Sequence, residues 1–568
     1  MSRIAFLLLC LFLAFHSLGK PALFEPDEGR NAEIAREILL TNDWVTPHYN
    51  FVTRLDKPIF FYWWVALSYK LFGVSEWSAR LPSALFGLGC ILLTYGWART
   101  SLGVWEGLWG ALILTTSVEF YGLSRTVILD MMLTFFMTLS LCGFYWGTRT
   151  ESRGKRRACY LLMYGALAGA TLTKGPVGII IPGIIIFFYL FSTRKWFLLR
   201  EMNFNLGIAL FFTIVIPWYV WAELKNQGYL SYFLLEENLL RFLTPSFNRD
   251  HSWYYPLSSL LIGFLPWSLF IAVLVEDIWN GVLDDTTLFL LLWIVVPLLF
   301  FSFSSSKLPH YILLVYPPLS ILVGKSLAGI VKDRSAERSW TLALPWITLA
   351  GAMLIVAIGL LVPDLLPDRV QGTIRRFSPQ ISHSLVLTML LLFLIFATAK
   401  WRAMRHRSEG LYFSYCSGVL LFFLFVQQIL PTVSLSRSSK QLAERAAALI
   451  HSDEQMVIYD AYLPSLPFYL RIDRPMWVVR SRDKRTVMGS TYVAEKLPDA
   501  GAEGRVLFTL EEVGDLLDRA GRRILVFTRE RRLDELERRT GVSPQILLKF
   551  SDLTLVALER KKVTSIEP

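Results

Sequence analysis

The 568-residue sequence predicts a polytopic α-helical membrane protein with about thirteen transmembrane helices and a C-terminal soluble α/β domain. Two observations carry this. First, 54% of the residues are hydrophobic and 18% charged, with 19 Trp, 40 Phe and 22 Tyr. Soluble domains run at about 25% charged and 45–50% apolar, so a soluble cytosolic enzyme is excluded. Second, the charge is uneven. Arg437 to Pro568 holds 43 charged residues in 132, and the preceding 436 residues hold the other 60. A membrane part, 1–430, is therefore expected before a water-soluble part, 431–568, with the boundary near Pro431.

A helix needs about 20 apolar residues to cross the hydrocarbon. Runs of that kind fall at about 4–19, 81–98, 104–122, 128–148, 159–176, 177–191, 203–222, 258–275, 286–303, 310–331, 341–362, 384–400 and 410–430. The runs 159–176 and 177–191 are short and split by Lys174-Gly175-Pro176, which suits a hairpin. Residues 1–19 also have the make-up of a signal peptide, but a retained first helix is the preferred reading. With a cytoplasmic N-terminus, four basic clusters share the cytoplasmic side: residues 149–157; Arg194, Lys195 and Arg200; Lys332, Arg334 and Arg338; and Lys400, Arg402, Arg405 and Arg407. That is the positive-inside pattern, and it accounts for the net charge of +11 without nucleic acid. The acidic pair Asp284 and Asp285 is the exception. An odd number of spans puts the tail outside, in the periplasm of a Gram-negative cell, with the chain in its inner membrane. Five Cys lie in or beside apolar runs without paired spacing and read as buried hydrophobes.

The tail alternates its periodicity. Residues 440–450 and 511–520 are helical in pattern, while 456–459, 476–480, 506–510, 524–528 and 553–558 read as strands. The result is a small α/β domain.

Polar residues that crossing a membrane does not explain gather on the outer side. The first outside loop, about 20–80, opens with Pro26-Asp27-Glu28-Gly29-Arg30. These carboxylates either favour a helix N-terminus or serve as a general base or metal ligand. The same loop carries Asp56-Lys57-Pro58 and then Phe60-Phe61-Tyr62-Trp63-Trp64, an interfacial helix by composition. Lys57 is either half of a solvated pair or a cation for a lipid-linked phosphate. Asp130 opens a span; its alternatives are an ion pair with Arg125 or a functional role. Lys174 and Lys307 sit at outer ends of spans, where snorkelling is the plain explanation. Glu236, Glu237, Asn238 and Arg241 share a further outside loop with His251 and also read as a charged helical face. Basic groups among carboxylates on one face suit an anionic, lipid-borne substrate. No Walker A loop and no GxGxxG after a strand is present, so a nucleotide donor is not expected. A transporter or lipid flippase predicts internal repeats and midplane charges, and neither is seen.

In order and spacing, Asp27-Glu28-x-Arg30-x-x-Glu33, Asp56-Lys57-Pro58, Trp77-Ser78-Ala79-Arg80-Leu81-Pro82-Ser83, Arg125…Asp130-Met131 and Thr173-Lys174-Gly175-Pro176 resemble polyprenyl-phosphate-dependent glycosyltransferases of the GT-C type. The resemblance is to the lipid A 4-amino-4-deoxy-L-arabinose transferases in particular, relatives of the protein O-mannosyltransferases. Glu237-Asn238-x-x-Arg241-Phe242 and Ser306-Lys307-Leu308-Pro309-x-Tyr311 extend it across the membrane part. The resemblance implies a sugar carried on undecaprenyl phosphate and delivered to lipid A or another periplasmic acceptor at the outer leaflet. Asp27 and Asp130 match the family's two acidic catalytic residues. Lys57 matches a lysine near the carrier phosphate, with Arg30 and Glu28 beside Asp27, and Lys174, Arg241, Lys307 and Tyr311 complete the expected substrate-binding set. The family also binds a divalent, zinc-like metal, and the matching positions are Asp56, Glu237 and Asn238. Here Asp56 stands where Glu is usual and Asn238 where His is common. Asn is a poor zinc ligand, which weakens the expectation of a metal. Other acceptors remain open: a protein hydroxyl, a core sugar or a surface polysaccharide.

Overall fold

The computed structural model describes residues 3–244, 251–281, 283–333, 408–451, 454–480, 506–520, 523–550 and 552–559, together with 488–490, 492, 493 and single helical residues between 347 and 398. The chain packs as two compact units: Met1–Pro21 with Ser75–Ser436, and Ala22–Val74 with Arg437–Pro568.

The first unit is helical. Six of its described helices are long and apolar enough to cross a membrane: Glu76–Ser101, Leu129–Arg149, Phe204–Lys225, Asp285–Phe303, Pro309–Ile330 and Ser417–Leu435. Arg3–Phe15 and Val177–Thr193 are shorter apolar helices, and Arg153–Lys174 joins the latter through Gly175-Pro176. Gly175 adopts φ +85, which ends the helix and reverses the chain. Small residues let helices approach closely, as in other membrane bundles. A Cβ on Gly324 would lie 2.6 Å from the backbone nitrogen of Gly110, so the helices Val104–Thr116 and Tyr316–Asp333 meet backbone to backbone.

Two expected spans are broken. The run 258–275 folds as Tyr255–Gly263 and Phe270–Asn280, because Pro266 has no N–H for a continuous ladder. The run 104–122 stops at Thr116 and restarts at Val118, with Ser117 extended between them. The expected spans 341–362 and 384–400 lie mostly outside the described residues.

The second unit joins the first outside loop to the tail, a grouping that hydropathy does not reveal because the loop is flanked by membrane helices. Its sheet contains β3 (Gln455–Tyr459), β4 (Trp477–Arg480), β5 (Leu507–Thr509), β6 (Ile524–Arg529), β7 (Gln545–Phe550) and β8 (Leu553–Leu558), after a short hairpin of β1 (His48–Tyr49) and β2 (Val52–Thr53). The order is β5-β4-β3-β6-β8-β7. Neighbours among β5, β4, β3 and β6 are parallel, and β8 runs antiparallel to both its neighbours. Val457, Val479, Phe508, Leu516, Val526, Leu536 and Val556 fill its core.

Polar contacts stitch loop to tail. Arg36 lies buried in the helix Asp27–Thr41, grips Glu33 at 2.6 and 2.7 Å and donates to the Ile472 carbonyl at 2.6 Å. Asn50 donates to the Met476 carbonyl at 2.7 Å and accepts from the Met476 N–H at 2.8 Å. The Glu25 carboxylate accepts from the Ser439 hydroxyl at 2.5 Å and the Ser465 hydroxyl at 2.8 Å.

Candidate functional site

The residues singled out by sequence fall into two clusters, one in each unit. In the second unit, Asp27 is the first residue of the helix Asp27–Thr41, following Pro26. Its side chain is 47% exposed, while that of its partner Arg30, one turn on, is 16% exposed. The pair therefore offers an open carboxylate held by a sunken guanidinium. Glu28 turns back to accept from the Phe24 N–H ahead of the helix at 2.9 Å, while both carboxylates lie in the first turn, where they favour the helix N-terminus. Arg30 also donates to the Tyr462 hydroxyl, 3.3 Å away. Burial opposes its charge, yet Tyr462 and Asp27 outweigh burial and hold the guanidinium above its usual range. Burial pushes the Tyr62 hydroxyl up to about 12, and that hydroxyl donates to Asn31 at 3.3 Å.

Asp56, beside Lys57, is buried and paired with Arg54 at 2.7 Å. It also accepts from the Ser490 hydroxyl at 2.8 Å. Arg54 in turn donates to the carbonyls of Met488 and Gly489, at 2.8 and 2.7 Å. Asp56 thus forms a buried pair with Arg54, where the sequence suggested a solvated pair with Lys57.

In the first unit, Asp130 begins the helix Leu129–Arg149 and Lys174 ends the helix Arg153–Lys174. They pair at 2.5 Å, and the His310 imidazole lies 3.7 Å from the other Asp130 oxygen. The sequence alternative of an Asp130–Arg125 pair does not hold. Arg125 instead donates to the carbonyls of Leu13, Ala14 and His16, which the end of the helix Arg3–Phe15 leaves unsatisfied. The Lys174 ammonium lies over the Tyr311 ring, 4.2 Å from its centre. The Tyr311 hydroxyl accepts from Arg241 at 3.4 Å, and Arg241 pairs with buried Glu237. Lys307 is only 5% exposed, so snorkelling into water does not describe it. Among the described residues no ion pair to it is found. Lys174 and Arg241 are matched by Asp130 and Glu237, and Lys307 adds a buried basic side chain in the same unit.

The metal donors suggested by resemblance fit poorly. Asp56 is neutralised by Arg54, Glu237 by Arg241, and the Asn238 amide donates to the Phe233 carbonyl at 2.6 Å. Among the described residues no group of three His, Cys, Asp or Glu is placed to hold a metal ion.

Sequence reasoning missed Tyr462, Ser490 and Gly489 in the tail. They lie more than 430 residues from their partners and carry no local motif.

Residues 56–221 match the family model described as dolichyl-phosphate-mannose-protein mannosyltransferase. The undecaprenyl phosphate-alpha-4-amino-4-deoxy-L-arabinose arabinosyl transferase of Aeromonas hydrophila is 31% identical over 359 residues, 62% of this chain and 64% of that protein. Its namesake from Edwardsiella ictaluri is 32% identical over 350 residues, 61% and 62% of the two chains. The crystal structure of ArnT from Cupriavidus metallidurans bound to undecaprenyl phosphate superposes with a TM-score of 0.82 at 28% identity, covering 98% of this chain and 97% of that one. The chain is similar to ArnT in fold and, over part of its length, in sequence. Its sequence match spans less than two thirds of the length of the curated relatives, while the structural match runs nearly end to end. The ArnT-like fold includes the C-terminal sheet domain, and its long apolar helices make it a multi-pass membrane protein.

Proposed function

We propose that the protein is an inner-membrane glycosyltransferase of about thirteen transmembrane helices. It moves 4-amino-4-deoxy-L-arabinose from undecaprenyl phosphate to a phosphate of lipid A at the periplasmic face. The observation that carries this is the open carboxylate of Asp27 held by half-buried Arg30, at the position the ArnT-like resemblance assigns to the reaction centre. The near end-to-end similarity to an ArnT holding undecaprenyl phosphate supports the donor.

In the proposed reaction an acceptor oxygen attacks the anomeric carbon. The bond from that carbon to the carrier phosphate breaks, and its electron pair leaves with the phosphate. A phosphate monoester acceptor is already ionised and needs no base, so Asp27 orients it or stabilises positive charge growing on the sugar. In the second unit, Lys57 and Arg30 oppose the charge of the leaving phosphate; in the first unit, Lys174, Lys307, Arg241 and Tyr311 serve to bind anionic substrate. Asp130 holds Lys174 for that task. The match to a protein mannosyltransferase family model over residues 56–221 favours a second reading, a protein hydroxyl as acceptor. There Asp27 takes the hydroxyl proton as general base.

The test is transfer in proteoliposomes supplied with the undecaprenyl-phosphate-linked sugar and lipid A, followed by mass spectrometry. Sugar-modified lipid A from the intact protein, and none from a folded Asp27→Asn variant, is the expected result. Full activity of that variant removes Asp27 from the mechanism. Unmodified lipid A with an active protein acceptor selects the second reading.

A further inference from the structure

We infer that the tail is part of the transfer machinery: Tyr462 and the 488–490 turn are positioning elements that hold Arg30 and Arg54 in place. This rests on the reading of Asp27 and Lys57 above.

Tyr462 follows β3, in the loop leaving the centre of the sheet. Its hydroxyl accepts from Arg30 at 3.3 Å and donates to the Met488 carbonyl at 3.0 Å. The hydroxyl thus uses its proton on the tail and its lone pair on the first loop, which fixes its orientation. Arg54 closes on the same turn through the carbonyls of Met488 and Gly489, and Ser490 fixes Asp56. Three consecutive tail residues therefore hold the arm leading into Lys57 directly and reach the arm bearing Asp27 through Tyr462.

The turn is built for this. Met488 and Gly489 adopt φ +55 and +74 in succession, a left-handed pair that turns their carbonyls to one side. A Cβ on Gly489 would lie 2.5 Å from the Tyr462 hydroxyl and 3.2 Å from an Arg30 terminal nitrogen. Glycine is what lets the hydroxyl and the guanidinium reach the turn. A tail serving only to bind a partner has no need of a hydroxyl donating and accepting at this point.

The experiment measures turnover of the full-length protein in proteoliposomes, per undecaprenyl phosphate binding site, for Tyr462→Phe, Arg30→Met, their double variant, Gly489→Ala and Asp27→Asn. Tyr462→Phe keeps the ring and removes only the hydroxyl. A hydrogen bond to a charged group converts to about a tenfold change in rate. The expected result is a loss of about that size in kcat for Tyr462→Phe, with donor KM unchanged and no further loss when it is added to Arg30→Met. Gly489→Ala is expected to lose at least as much. Wild-type kcat per binding site in Tyr462→Phe overturns the proposal. So does a Tyr462→Phe loss that multiplies fully with that of Arg30→Met, because the hydroxyl then acts elsewhere. Asp27→Asn reports separately: if it turns over normally the Asp27 reading fails, whatever the Tyr462–Arg30 coupling shows.

Discussion

Replacing Asp130 by Asn leaves the Lys174 ammonium without its carboxylate in a largely buried site. The two side chains are 7% and 15% exposed and 2.5 Å apart. Removing one member of a buried pair costs about 3–5 kcal/mol because it leaves an uncompensated buried charge, whereas removing both charges leaves none. Asp130→Asn and Lys174→Met should therefore each lower the unfolding temperature by several degrees in detergent. The double variant Asp130→Asn/Lys174→Met should cost no more than either single change. Its coupling energy then exceeds the 0.5–3 kcal/mol range usual for residues in contact, or lies at its upper end. Stability and activity should part company in the double variant: it folds like the wild type but transfers poorly, because Lys174 no longer stands over Tyr311. Thermal unfolding followed by tryptophan fluorescence reads the first quantity and sugar transfer the second. Additive losses, agreeing within about 0.5 kcal/mol as for independent sites, contradict the coupling of Asp130 to Lys174. A double variant with full turnover contradicts the part given to Lys174 in transfer.

Arg36→Met strands buried Glu33 and removes the bond to the Ile472 carbonyl; about 3–5 kcal/mol is expected, seen as early proteolysis of the tail and loop together. Gly29→Ala places a Cβ 2.6 Å from the Ser465 backbone. Overpacking of this kind costs about 1–3 kcal/mol, and thermal unfolding should register it where the exposed Gly154→Ala change does not. Burial raises the Glu25 carboxyl, against the opposing bonds from Ser439 and Ser465. The folded state therefore binds that proton more tightly than the unfolded one. Its contribution is complete below the ordinary carboxylate pKa of about 4.3 and is lost as pH rises through the raised value. Glu25→Gln should flatten the fall of unfolding temperature across that window, and an unchanged slope contradicts the assignment. Because Asp56 and Glu237 are already paired with arginines, transfer should survive dialysis against a chelator. Loss of activity restored by zinc contradicts this.

Much of the fold is legible in the sequence, and the exceptions have physical reasons. Strands β3, β6 and β8 are dense in Val, Ile and Leu and buried, so their pattern is strong. Strand β7 escapes because it is an edge strand with Gln545, Ile546 and Lys549 exposed and a register shift at Ile546/Leu548. The helix Leu533–Thr540 escapes because only two of its eight residues are apolar, Leu533 and Leu536. The break in 258–275 was signalled by Pro266, but its flanks are apolar enough to conceal it. Candidate charged residues stood out because ionisable groups beside membrane spans need an explanation. Their pairing did not. That Asp130 meets Lys174 rather than Arg125 depends on which helix ends adjoin. That Arg30 meets Tyr462 depends on a loop folding with a tail some four hundred residues away.

Mass spectrometry of lipid A tests the central claim most directly, using cells that carry the intact gene, a deletion, or the Asp27→Asn variant at matched abundance. A mass increment of one aminoarabinose on a lipid A phosphate is expected with the intact gene alone. Identical lipid A in all three strains, under conditions where the protein is present in the membrane, contradicts it.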